Sequence, residues 1–198
     1  VSPYVVLSDG VPVADFDTYA EAKAYASTVP AAGVIHQPTG THLGNGPLRP
    51  NRIKGVPLIG QFPELPRGCE VTSLAMLLNF YGIPADKMRL AGEIRTLPFR
   101  AWEQGTWYYA NPYEGFVGDM YSYDNPGLGV YHAPIAELAE KYAPGKVIDL
   151  TGAEFDEVLY QVSQGRPVWV IITSTYDVVP EREWETWETR QGPVKITY

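Results

Sequence analysis

One cysteine and three histidines are all that the 198 residues offer of the side chains most used in metal and nucleophile chemistry. A lone cysteine cannot close an internal disulfide, so the fold must stand on its core. His36 and His42 lie on a strand and a loop with no third ligand close by, and His132 stands apart, so no metal site is indicated and no cofactor is called for. Bases are also short: 15 Lys and Arg against 23 Asp and Glu leave a net charge of −8. That balance argues against nucleic acid, whose phosphates need clustered cations. No apolar run approaches the roughly 18 residues of a membrane span, and no charged-then-apolar leader opens the chain. What is plentiful is ordinary core material, 45% hydrophobic, and an unusual aromatic share, 13% with 14 tyrosines and 5 tryptophans. Aromatic-rich surfaces often bind carbohydrate or peptide.

The one cysteine sits in the most informative stretch, residues 65–82, LPRGCEVTSLAMLLNFYG. Val71, Leu74, Ala75, Leu78 and Tyr81 recur at three- and four-residue steps, the apolar face of a helix, and Gly82 followed by Pro84 stops it. Cys69 is therefore expected in the first turn, where unpaired N–H groups and the helix dipole favour a thiolate, the form that attacks carbonyl carbon. Gly68 leaves room for a close substrate approach. Gln61 is expected to donate its amide to the oxyanion formed on attack. The competing expectation is that Cys69 is only a small apolar residue in a core helix.

The wording PELPRGCEVTSLAMLLNFYG resembles the nucleophile motif of bacterial cysteine peptidases of the bacteriocin-processing, double-glycine-leader type, and more closely the peptidase-like branch of that papain-like superfamily. The resemblance continues in 115–120, GFVGDM, in 127–142, GLGVYHAPIAELAEKY, and in 165–173, GRPVWVIIT. It implies that Cys69 opens a central helix and that Gln61 completes the oxyanion hole. It implies hydrolysis of a peptide or isopeptide bond through a thioester, and a setting outside a bacterial cell or in its envelope. In one respect the chain departs from the family. The family's histidine follows the last hairpin, at the start of a strand, with Asp or Asn further on, and neither has a matching position among the residues up to Tyr198. The segment 194–198, VKITY, also reads as a strand that runs to the final residue. The expectation is therefore a domain incomplete at its C-terminus, with strand exchange between two chains left open.

Residues 1–44 read as a separate ββαβ module, with strands at 4–7, 11–16, 34–37 and 41–43 and a helix capped by Asp17 or Thr18 and ending at Ala26. Residues 45–55, rich in Gly and Pro, read as a linker. The larger domain is expected over 56–198, with a short strand at 56–59, a helix at 87–94 capped by Asp86, and another from Pro134 to Tyr142. A strand at 146–150 should precede a helix at 153–164 opened by a Thr151/Glu154 capping box. The apolar run 168–173 reads as a central strand buried on both faces, and 183–189 should pair with 194–198. Between 97 and 126, aromatics are interleaved with Gly, Asn and Pro without a period. The stretch reads as a substrate-groove wall carrying Trp107, Tyr109 and Phe116, or else as a plug over the core.

The fold expected is thus α+β, a papain-like arrangement of the Cys69 helix on an antiparallel sheet, acting on a peptide or protein substrate. Two other readings stay open: a non-catalytic peptide- or glycan-binding module on a peptidase scaffold, and a transpeptidase or acyltransferase.

Overall fold

Alternating apolar residues and a capped helix organise the N-terminal unit. The computed structural model describes residues 2–38, 40–43, 52–173 and 175–197. β1 (Tyr4–Ser8) lies between β2 (Val11–Phe16) and β3 (Ala32–His36), and β4 (Thr41–Leu43) pairs on the far side of β3, every pairing antiparallel. α1 (Tyr19–Ala26) starts where Thr18 Oγ1 accepts from the Glu21 N–H, one of the donors a first turn leaves over. Tyr4, Val6, Tyr19, Ala22, Ala26, Val34 and Leu43 form its core. The expected ββαβ pattern is present. Of the expected linker, 45–51 lies outside the described residues, as does Tyr198.

The larger unit is built around α2 (Cys69–Phe80), flanked by α3 (Lys87–Glu93) and, further along, α4 (His132–Tyr142). α3 begins where Asp86 accepts from the Met88 and Arg89 N–H groups, as its sequence implied. Between α3 and α4 run β5 (Thr96–Leu97), the hairpin β6 (Arg100–Glu103) and β7 (Thr106–Tyr109), then β8 (Phe116–Gly118) and β9 (Gly127–Gly129). β8 pairs with β5 in parallel and with β9 antiparallel. Leu74, Leu78 and Leu90 are almost wholly removed from solvent together with Leu65, Phe116, Met120, Val130, Ile135 and Leu138; each large apolar side chain so buried contributes roughly 2 kcal/mol. After α5 (Phe155–Ser163) and a short 3₁₀ turn (Glu181–Glu183), β10 (Glu185–Thr189) and β11 (Gly192–Ile196) close the chain as an antiparallel hairpin. Trp187 of β10 stacks on Tyr109 of β7 at 4.4 Å, over a second small core of Val117 and Ile196.

Three expected strands are not formed: 56–59, 146–150 and 168–173 carry no regular pairing. The last is the plainest correction. Val170, Ile171 and Ile172 were expected to be buried on both faces, yet they are 52%, 49% and 59% exposed. An apolar run becomes a strand only when neighbouring backbone pairs with it. Among the described residues β10 and β11 pair with each other and leave this run without a ladder. In place of one antiparallel sheet, the unit holds a three-stranded mixed sheet and two hairpins.

α5 also departs from expectation. The chain divides into one compact unit of residues 1–54 with 148–168 and another of 55–147 with 169–198. Residues 148–168, assigned by sequence to the larger domain, thus group with the N-terminal module. Glu154 makes no capping bond to its own helix. Its carboxylate accepts instead from the Tyr19 N–H at 3.0 Å, a spare donor in the first turn of α1. One turn along, Glu157 is fully buried; Tyr4 Oη donates to it and His36 Nδ1 lies 3.5 Å from its other oxygen. Burial, reinforced by that carboxylate, holds the Tyr4 phenol well above its usual range. A buried carboxylate costs several kcal/mol to desolvate and is tolerated only with partners of this kind. Glu157→Ala, which takes its acceptor from the buried Tyr4 hydroxyl, is expected to destabilise this unit by roughly 3 kcal/mol, read as a lowered urea midpoint with Tyr4→Phe as the milder companion.

Candidate active site

The loop that delivers Cys69 is tied down at every step. Leu65 N donates to Gln61 O and Gly68 N to Leu65 O, both at 3.0 Å. Lys87 Nζ, from α3, reaches the carbonyls of Gly60 and Gln61 and the Glu64 carboxylate at 2.6, 3.0 and 2.7 Å. Gly68 is the residue before the helix, and a Cβ there would fall 2.6 Å from Leu65 Cβ. Its bareness serves this fold-back: Gly68 is buried, where the sequence reading had it facing substrate.

Gln61 lies on the same loop, eight residues before Cys69 as expected, but its amide works locally. Nε2 donates to Leu65 O at 3.2 Å and to Pro66 O at 2.9 Å, which occupies both amide hydrogens. In this arrangement Gln61 is a strut for the Cys69 loop. Serving an oxyanion requires it to give up one of these bonds.

A second brace comes from 119–125. Arg67 N donates to Met120 O at 3.1 Å. The Arg67 guanidinium reaches the carbonyls of Asp119, Ser122 and Asn125 and lies over the Tyr123 ring at 4.8 Å, while Tyr123 Oη donates to Pro66 O. Asp119 closes this loop on itself. Its carboxylate accepts from Asn125 Nδ2 and from the Tyr121 and Ser122 N–H groups, which hold it below the usual carboxylate range.

Cys69 is the first residue of α2 and is exposed. Its neighbour, Glu70, decides its chemistry. Sγ lies 3.3 Å from Glu70 Oε2, and the other oxygen, Oε1, accepts from the Val130 N–H at 3.0 Å. Ser73 Oγ caps the carbonyls of Cys69 and Glu70 at 2.7 and 3.1 Å, and Trp169 Nε1 donates to Ser73 Oγ and Glu70 O at 2.8 and 3.1 Å. Protein packed on the inner side of the sulfur, together with the charge and hydrogen bond of Glu70, pushes the thiol up to about 12; backbone N–H groups pull the other way and lose. Burial raises Glu70 as well. In this arrangement burial, with Glu70 beside the sulfur, works against the thiolate expected at a helix tip. A dipole worth about 0.3–1 kcal/mol at an exposed turn does not outweigh burial joined to an adjacent carboxylate. The partner of Sγ is a carboxylate and not an imidazole. His36 belongs to the Glu157 cluster, and His132 opens α4 with its ring edge-on to Tyr113.

The aromatic residues named from sequence separate. Trp107 is exposed on β7, with Arg100 over its ring at 4.4 Å and Trp102 beside it at 5.2 Å. Tyr109 is half-buried in the stack with Trp187. Phe116 is fully buried in the main core and has no surface to offer a substrate. A cleft of about 160 Å³ at the root of the β6–β7 hairpin is lined by Leu97, Pro98, Ala101, Tyr108 and Arg190 and includes neither Cys69 nor Gln61. No group of three His, Cys, Asp or Glu among the described residues could hold a metal, and no helix there is long and apolar enough to cross a membrane. Sequence reasoning missed Glu70, Trp169, Arg67 and Asp119. The Asp119–Ser122–Asn125 spacing and a Glu next to the only Cys were visible signals; nothing marked Trp169.

A cysteine thus stands on the first turn of a largely buried helix, led in by a braced glycine loop. Residues 53–191 match the model of the Peptidase_C39 like family, and the chain belongs to that family. It is 46% identical over 136 residues to YvpB of Bacillus subtilis (strain 168), a protein described as uncharacterized, and that match takes in 69% of this chain and 52% of YvpB. The chain thus spans about half the length of that relative. A crystal structure from Bacillus anthracis described as a C39-like peptidase superposes with a TM-score of 0.70 at 48% identity, covering 74% of this chain and 72% of the other. The mixed α+β architecture is shared with it.

A thiol raised this far ionises only in strong alkali. The rate of Cys69 alkylation by iodoacetamide should still be climbing above pH 10, without the plateau a free thiol reaches near pH 9–10, and at pH 7 it should run at least roughly tenfold slower than a free thiol. Reaction with a single pH-independent fast phase would contradict the geometry around Sγ.

Proposed function

We propose that the chain is the nucleophile-bearing part of a cysteine hydrolase that cleaves a peptide or isopeptide bond through a thioester on Cys69. The observation that carries the reading is the position of Cys69. It is exposed, it opens α2, and it stands within a motif that matches a peptidase-like family over most of the chain. In the proposed reaction Cys69 adds to the carbonyl carbon. The oxyanion is held by helix-tip N–H groups and by Gln61, once its amide turns from Pro66 O toward the substrate. The thiol proton passes to water; the amine, protonated from water, departs and leaves the acyl group on sulfur; a further water releases that group as the acid, and sulfur regains its proton. The central helix bearing Cys69 is the papain-like element of this reading, and the substrate is a peptide or protein met outside a bacterial cell or in its envelope.

Three observations favour a second reading, a non-catalytic peptide- or glycan-binding module: the raised thiol, the occupied Gln61 amide, and the exposed Trp102–Trp107 pair on the β6–β7 hairpin. The two readings part at the acyl-enzyme. Incubation with activated peptide thioesters, acid quenching and intact mass should show a one-to-one adduct that maps to Cys69 and is absent in Cys69→Ala. Gln61→Ala should slow its formation by about 10²–10³-fold. An adduct that forms and is then passed to an added amine in preference to water would make the protein an acyltransferase. Retained binding without any adduct would leave the module reading standing.

A further inference from the structure

Away from Cys69, polar groups with nothing to bind gather in one place, the cleft at the root of the β6–β7 hairpin. The segments that line it are fixed. Arg95 leads into β5, and its carbonyl accepts from the Phe116 N–H at 2.7 Å. The chain at Gly115 passes so close that a Cβ there would fall 2.6 Å from the same oxygen. Asn111 Oδ1 accepts from the Tyr113 N–H at 3.0 Å, and Glu114 N donates to Asn111 O at 2.9 Å, which sets the turn carrying both side chains. Arg190, in the turn after β10, is clamped by the Glu103 carboxylate of β6 through Nε and Nη2. Among the described residues the Arg95 guanidinium, the Glu114 carboxylate and the Tyr108 hydroxyl have no hydrogen-bond or ion-pair partner, although Glu114 and Tyr108 are half-buried. Asn111 Nδ2 and Arg190 Nη1 are left over in the same way. A single exposed charge is only solvated surface. Here a cation and an anion share one small cleft without pairing with each other, beside a phenol that also lacks a partner.

We propose that this cleft is a binding site for a small zwitterion, an amino acid or dipeptide whose ammonium and carboxylate are both free. The carboxylate lies against Arg95 and Arg190 Nη1, and the ammonium against Glu114. The Tyr108 ring and hydroxyl and the Asn111 amide face the part between, and Leu97, Pro98 and Ala101 supply the apolar lining. At about 160 Å³ the cleft is smaller than the roughly 300–1,000 Å³ of a drug-sized site, which suits one or two small residues. Neither Cys69 nor Gln61 lines it, so the site is separate from the acyl chemistry proposed above and does not depend on it.

Amide chemical-shift titration of the isotope-labelled full chain tests this, with alanine and Ala-Ala as probes, each free, N-acetylated or C-amidated. The expected result is saturable binding of at least one free form with a Kd below about 10 mM, centred on the Ala101, Tyr108, Asn111 and Glu114 amides. Blocking either end should weaken it roughly tenfold, and added salt should weaken the free form. Arg95→Ala should erase the difference between a free probe and its amide, while Glu114→Gln should erase the difference between a free probe and its N-acetyl form. A general loss of fold does not produce that division, one end per variant. Alanine bound as tightly as Ala-Ala supports an amino-acid site, and tighter binding of Ala-Ala supports a dipeptide site. Blocked probes that bind as well as free ones overturn the proposal, as do shifts that never saturate or variants that keep the wild-type preferences. Binding should be unchanged in Cys69→Ala, and its loss there would move the ligand to the sulfur and overturn the assignment. Failure to form an acyl-enzyme on Cys69 leaves the binding result standing and counts against the hydrolase reading alone.

Discussion

The first turn of α2 has to satisfy its own backbone while carrying the one sulfur of the chain, and most of the larger unit is arranged around that demand. A helix start leaves donors and a field that favours negative charge. Here burial, together with the Glu70 carboxylate beside it, favours the sulfur as a thiol. The Val130 N–H, Trp169 and Ser73 then fix that carboxylate and its carbonyl from two distant parts of the chain, and Arg67 and Lys87 hold the loop before it. Each brace is a polar group that would otherwise go unpaired in a partly buried place, so loosening one disturbs the others.

The consequence for chemistry is a sulfur whose surroundings favour the thiol over the thiolate. An exposed thiolate would react with any electrophile. A neutral thiol facing a carboxylate is quieter than that. The Gln61 amide is spent on two loop carbonyls, so it braces the loop that leads to Cys69.

Where residues act through short-range pattern, the sequence was legible. The α2 face from Val71 to Leu78, the Asp86 and Thr18 caps, the ββαβ order and the β10–β11 hairpin all follow from periodicity and cap chemistry, and all are present. What failed depended on partners far away in the chain. The run at 170–172 has every mark of a strand, but strand formation is settled by neighbours that pairing must bring to it. Glu154 and Thr151 have capping spacing, but the Tyr19 N–H, 135 residues away, takes the Glu154 carboxylate. Helix position placed Cys69 in the first turn of α2, while burial and a Glu70 carboxylate held by the Val130 N–H bear on its ionisation.

The path of the chain between its two units bears on how the protein is made. It crosses from the first to the second after residue 54, returns at 148 and leaves again at 169. The N-terminal sheet therefore leaves the ribosome long before the helix bearing Glu157 and Tyr160 exists, and Tyr4 must wait for a partner more than 150 residues away. Late closure of this kind raises contact order and lengthens the time an apolar sheet face is open to the wrong neighbour. Nascent-chain quality control, more than equilibrium stability, is where changes on that face should be felt first.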